Sequence, residues 1–225
     1  VAEHAIGFSD IDQIIVTHGH PEHYGAAKKI VKAGRAKVIA HAEDRALIEK
    51  GFDAYSANYE HFLALVGIPP SIGVLLRLLF ILFKRMADNC HVDLLIRDGD
   101  EIGLGGYSAR IIETPGHSKG SVCVFLEEEK VMFCGDTVIE HITPNAFIMM
   151  DDKEMLPVRR SQEEFYRSLK KIKTLSPSII YSAHGKTISD IDQIVAGYEK
   201  AFTERKDHIL SIIHGGEKHI YSIAR

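Results

Sequence analysis

The sequence predicts an α/β protein, on three observations. Short β-branched runs end in polar turns, helix-period segments alternate with those runs, and a two-glycine turn joins two alternating segments. Residues 12–17 (DQIIVT) read as a buried strand ending at His18. From His23 the pattern turns helical, with Ala27, Ile30 and Val31 on one face and Gly34 placed as a C-terminal cap. Residues 37–40 (KVIA) form a second strand, and residues 42–50 a second helix stopped by Gly51. Residues 52–92 read as a helical insertion, broken at Pro69-Pro70, that carries the apolar segment GVLLRLLFILFKR. This segment is expected to cover exposed sheet; the sharper alternative is an apolar lid over a substrate pocket.

Beyond the insertion, EIGL and YSARI flank Gly105-Gly106, the signature of a tight hairpin. Strands are expected over residues 109–113, 121–126 and 130–134. Ser161 with Glu164 three residues on resembles a capping box for a helix through Leu175. A strand over 178–183 then ends at His184, and a long helix covers about 190–213. The main domain is assigned to residues 1–205, and residues 206–225 open a C-terminal helical extension.

A chain of 225 residues, 45% hydrophobic and 26% charged, can bury one substantial core. Its net charge of −4 gives no electrostatic reason to expect a nucleic acid or an anionic membrane as partner. Three cysteines without paired spacing argue against a disulfide framework and for a reducing, cytoplasmic setting. The longest apolar run, residues 74–83, is interrupted by Arg77 and is half a membrane span.

The chemistry is concentrated in Thr17-His18-Gly19-His20-Pro21-Glu22-His23. Three imidazoles and a carboxylate within six residues, at the end of a strand, are ligands that zinc, iron or manganese accepts. Such a turn can aim His18 and His20 to one side and Glu22 and His23 to another, which suits two adjacent ions. Three further turns place a polar ligand directly after a strand: Thr114-Pro115-Gly116-His117, Cys134-Gly135-Asp136-Thr137 and Ala183-His184-Gly185. Each alone is an ordinary turn, but four in series at strand ends occupy the position where scaffolds hold sites.

In that order and spacing the turns resemble the metallo-β-lactamase superfamily over about residues 10–205. The resemblance implies a four-layer αββα sandwich with the site at one edge of the two sheets. It also implies two divalent metal ions, zinc first, with iron or manganese as alternatives: His18, His20 and His117 on one, Glu22, His23 and His184 on the other, and Asp136 bridging. The expected activity is hydrolysis of an ester, thioester or lactone in a small acyl substrate by a metal-activated hydroxide, with Glu22 or Asp136 returning a proton to the leaving group. The stretch His141-Ile142-Thr143-Pro144-Asn145 resembles a glyoxylase-like branch, which would set His141 and Asn145 in the substrate pocket.

Two departures stand out. Glu22 replaces the family's usual aspartate, adding a methylene to the reach of a second-metal ligand. The chain also starts just before the first metal-binding strand and stops at KHIYSIAR, so a fragment is expected at one or both ends. The competing readings are a mononuclear iron-dependent sulfur dioxygenase-like enzyme, a nucleic-acid processor, and a metal-retaining binding module without activity. A homo-oligomer remains open. Lys119, Lys186 and Arg160 are candidate anion contacts but stand outside the proposed site.

Overall fold

The computed structural model describes residues 6–51, 53–54, 59–83, 87–147, 160–214, 216 and 220–223. Among the described residues, eight strands form two sheets. The first is a three-stranded parallel sheet of β1 (Gln13–Ile15), β2 (Lys37–His41) and β3 (Leu94–Ile96), in the order β1-β2-β3. The second holds β4 (Glu101–Leu104), β5 (Tyr107–Glu113), β6 (Val122–Leu126), β7 (Val131–Gly135) and β8 (Ile179–Ser182) in chain order. Its first four strands are antiparallel neighbours and β8 runs parallel to β7.

Three buried clusters stack these elements into layers. Ile39 and Ile96 of the first sheet meet Ala109, Ile111, Val122, Val124 and Leu126 of the second, forming the seam between sheets. Val16, Val38 and Ala40 pack outward on Tyr24, Ala27 and Ile48, which belong to α1 (Pro21–Tyr24), α2 (Ala27–Ala33) and α3 (Arg45–Lys50). On the far side, Ile112, Phe125, Met132 and Ile180 meet Phe165, Leu169 and Ile172 of α6 (Ser161–Leu175) and Ile191, Val195 and Tyr198 of α7 (Ile191–Ile213). The order is therefore helix, sheet, sheet, helix, as expected of an αββα sandwich. Unbroken burial in β6 follows from that position, since β6, centred in its sheet, is covered on both faces, and in β5 Ile111 and Ile112 are likewise buried on opposite faces.

Local structure departs from the sequence expectation at several points. The first helix is two short ones parted at Gly25-Ala26, and Gly34 closes the second at a negative φ (−150°) rather than as a left-handed cap. What constrains Gly34 is space, since a Cβ there would lie 2.9 Å from Cα of Ser9. Strand β3 was not anticipated, because three residues between Asp93 and Arg97 carry no periodicity; Asp93 anchors it, its carboxylate accepting from the amide of Val38 at 2.8 Å. Ser161 is the first residue of α6, not its cap, and the N-cap position belongs to Arg160 without a side-chain bond. The Gly105-Gly106 turn forms as expected, both residues at positive φ (57° and 105°).

The insertion holds α4 (Tyr59–Leu65) and α5 (Pro70–Phe83). Contrary to expectation, α5 does not bury its apolar segment against sheet: Val74, Leu75, Leu78, Ile81 and Leu82 are all more than half exposed. Helix α7 continues unbroken across position 205, and α8 (Ile220–Ile223) follows it. Among the described residues no helix is long and apolar enough to cross a membrane.

Candidate metal centre

The four turns singled out in the sequence lie at the C-terminal ends of β1, β5, β7 and β8, and the fold brings those ends together. Backbone bonds tie the strand ends: the amide of Val122 donates to the carbonyl of Thr17 at 2.9 Å, and that of Ala183 to Gly135 at 3.0 Å. Side chains tie the turns themselves. Thr114, which opens the His117 turn, bonds Thr137 beside Asp136 at 3.0 Å between hydroxyl oxygens. Gly116 is obligatory here, because its φ is +133° and a Cβ would collide with the backbone of Phe165.

Within this frame six of the seven candidate ligands converge. Nδ1 of His20 lies 3.0 Å from Nε2 of His18 and 3.1 Å from Nε2 of His117. Asp136 collects the rest: Oδ2 is 3.4 Å from Nε2 of His23 and 3.7 Å from Nε2 of His117, and Oδ1 is 3.5 Å from Nε2 of His184. Among the described residues two groups offer ligand atoms all within 4.8 Å of one another, His18 with His20 and His117, and His18 with His23 and Asp136. His18, His117 and Asp136 are buried, whereas His184 is exposed. Glu22 sits on α1 with its residue exposed and forms no hydrogen bond or ion pair among the described residues.

The chemistry of this donor set fits cations. Nδ1 of His117 faces a backbone carbonyl and so holds the ring proton, which leaves the lone pair on Nε2, the nitrogen that faces His20 and Asp136. Buried His23 Nε2 and Asp136 Oδ1 have no hydrogen-bond partner among the described residues, a costly arrangement that a metal ion relieves. Burial, reinforced by the neighbouring imidazoles, holds His18 well below the ordinary histidine value and brings His20 down to about 4. Burial also lowers His117, against the raising effect of its hydrogen bond to Asn145. These rings are therefore neutral near pH 7 and have lone pairs to give. Burial pushes Asp136 up, but contact with His23 and the charges of His23, His117 and His184 outweigh it and leave the carboxyl lowered.

The two pocket candidates play different parts. Nδ1 of His117 lies 2.9 Å from the backbone carbonyl of Asn145, so Asn145 fixes the ring with Nε2 turned inward, while its own residue is exposed. His141 is exposed and stands over Gly185, where a Cβ would come within 3.0 Å of its ring. Two residues were not foreseen. Phe147 packs edge-on against His20 and His117, with ring centroids 5.0 and 5.3 Å away. Asp44 lies buried behind the histidine turns; the sequence reading set it within the helix of residues 42–50 and gave it no role of its own.

Comparison with known proteins agrees with this geometry. The family model described as the metallo-beta-lactamase superfamily matches residues 3–184. A "Probable metallo-hydrolase" of Bacillus subtilis (strain 168) is 26% identical over 209 residues, covering 90% of this chain and 62% of that protein. An atrochrysone carboxyl ACP thioesterase of Aspergillus fumigatus is 35% identical over 100 residues, covering 44% of this chain and 28% of the other. The crystal structure of a metallo-beta-lactamase family protein from Thermus thermophilus superposes with a TM-score of 0.83 at 24% identity, over 99% of this chain and 70% of that one. The chain thus spans less than two thirds of the length of either curated relative.

Proposed function

Because the chain belongs to the metallo-beta-lactamase superfamily, we propose that it is a metal-dependent hydrolase acting on an ester, thioester or lactone bond of a small acyl substrate. The observation that carries the reading is the convergence of five imidazoles and one carboxylate, with His23, His117 and His184 around Asp136 and His20 between His18 and His117. His18, His20 and His117 would hold one ion, and His23 and His184 a second, with Asp136 between them and Glu22 completing the second set. Zinc suits this mixture of imidazole and carboxylate best, with iron or manganese as alternatives. When bound, two such cations lower the pKa of a shared water to near neutrality and polarise a substrate carbonyl.

The chain's own residues supply the rest. Asn145 and Thr17 orient His117 and His18, the latter through a 3.3 Å contact between Thr17 Oγ1 and His18 Nδ1. Asp136, reached by three imidazoles, is placed to hold a proton at Oδ1 or Oδ2 and release it to a leaving thiolate or alkoxide. Phe147 shields two of the imidazoles on one side from water and offers an apolar wall to the acyl group. Three free, buried cysteines support a cytoplasmic setting.

The thioesterase relative supports testing thioesters first. Purified, zinc-loaded protein should hydrolyse a member of a thioester, ester and lactone panel, and Asp136→Asn should lower kcat by about 10²- to 10⁴-fold. Full metal loading without turnover of any member would overturn the assignment. A second reading, a mononuclear iron-dependent oxygenase, is favoured by one observation: the compact His18, His20, His117 group stands complete while Glu22 faces solvent. Bound iron with thiol-dependent oxygen uptake and no hydrolysis would select it.

A further inference from the structure

An aspartate at the start of a helix ordinarily caps it. Asp44 occupies the N-cap position of α3 yet makes no side-chain cap bond there. Its carboxylate is 1% exposed and turned instead toward the two turns that carry His18, His20 and His117. Oδ2 accepts from the amide of Gly19, between the two histidines, at 2.7 Å, and from the hydroxyl of Ser118, next to His117, at 2.6 Å. Oδ1 accepts from the amide of Gly120 at 2.8 Å. The hydroxyl of Ser118 is itself held by Ser121, 2.8 Å away. Both turns press against this side chain, since a Cβ at Gly120 would lie 2.8 Å from Cγ of Asp44.

A turn from the first sheet and a turn from the second are thus clamped on one carboxylate, so the spacing of His20 from His117 is set by Asp44.

We propose that Asp44 is a positioning residue for the metal centre, locking the His18-Gly19-His20 turn to the His117-Ser118 turn and so setting affinity for the first ion. The inference rests on the metal-dependent reading above. It acts at the level where residues behind the ligands change metal affinity by about 10- to 100-fold.

The test is zinc affinity, measured by competition with a chromogenic chelator, alongside thermal melting of the metal-free chain. Asp44→Asn keeps the shape but sets an amide against three donors. Its zinc Kd should rise about tenfold or more while the metal-free chain still melts cooperatively. Asp93→Asn, which weakens another carboxylate bonded to a backbone amide, is the control: it should move the melt and leave the zinc Kd within about twofold. An unchanged Kd in Asp44→Asn, or an equal rise in Asp93→Asn, would overturn the proposal. Should Asp44→Asn fail to fold, Ser118→Ala removes one of the three donors and must raise the Kd more than about twofold, or the proposal falls. A wild-type chain that holds no zinc would instead sink the hydrolase reading, and this inference with it.

Discussion

At the scale of single residues, the site is governed by which side chains are forced to stay neutral and which are left reaching. His18, His20 and His117 are buried together, and their folded-state values lie below the ordinary histidine value of about 6.5. In the metal-free chain the unfolded state therefore binds more protons than the folded state below pH about 6.5. Stability should fall as pH drops from 6.5 towards 4, the value His20 approaches. Urea midpoints in the presence of chelator at pH 7 and pH 5 would show this, and an equal or higher midpoint at pH 5 would contradict it. Glu22 presents the opposite case, an exposed carboxylate one methylene longer than the aspartate of the resemblance. If it still joins the second ion, wild type and Glu22→Asp should each carry about two ions per chain. Metal analysis showing one ion in the wild type and two in the variant would mean the longer side chain fails to reach.

At the scale of elements, the ligand turns are short and their conformations are paid for by neighbours. Gly116 shows this most directly, since its positive φ and the adjoining Phe165 backbone leave no room for a Cβ. Gly116→Ala should destabilise by more than about 1 kcal/mol and displace His117, seen as a lower melting temperature together with weaker metal binding. Helix α5 behaves otherwise. Leu78 and Leu82 are exposed, at 55% and 61%, so Leu78→Glu should change the melting temperature only slightly, within about 0.5 kcal/mol of wild-type stability. The apolar run of α5 was legible as a helix because its length and composition are local properties. Its exposure was not legible, because covering a sheet depends on where the insertion is carried. The same holds for Ser161 and Gly34, whose types suit caps while their surroundings assign them to a buried first turn and to a close approach to Ser9.

At the scale of the molecule, the centre joins both sheets: His18, His20 and His23 follow β1 of the first, and His117, Asp136 and His184 follow β5, β7 and β8 of the second. An ion held by residues of both sheets would tie the layers together and would favour the folded state, where those residues meet. Removing metal with a chelator should therefore lower the melting temperature, by an amount that grows with the logarithm of the free metal concentration used in the loaded reference. A melt indifferent to metal would show that no ion spans the two sheets. The strand ends and the order of the polar turns were determined by the sequence alone, since periodicity and turn chemistry act over a few residues, and the αββα layering was implied by the family resemblance those turns carry. The tertiary structure decided which side chains meet. Glu22, two residues from His20 in sequence, is exposed, whereas Asp44 and Phe147, without a motif to mark them, lie against the His18-Gly19-His20 turn. The reason is physical: proximity along the chain fixes only local direction, while burial and hydrogen bonding between residues as far apart as Asp44 and Gly120 depend on the packing of all four layers.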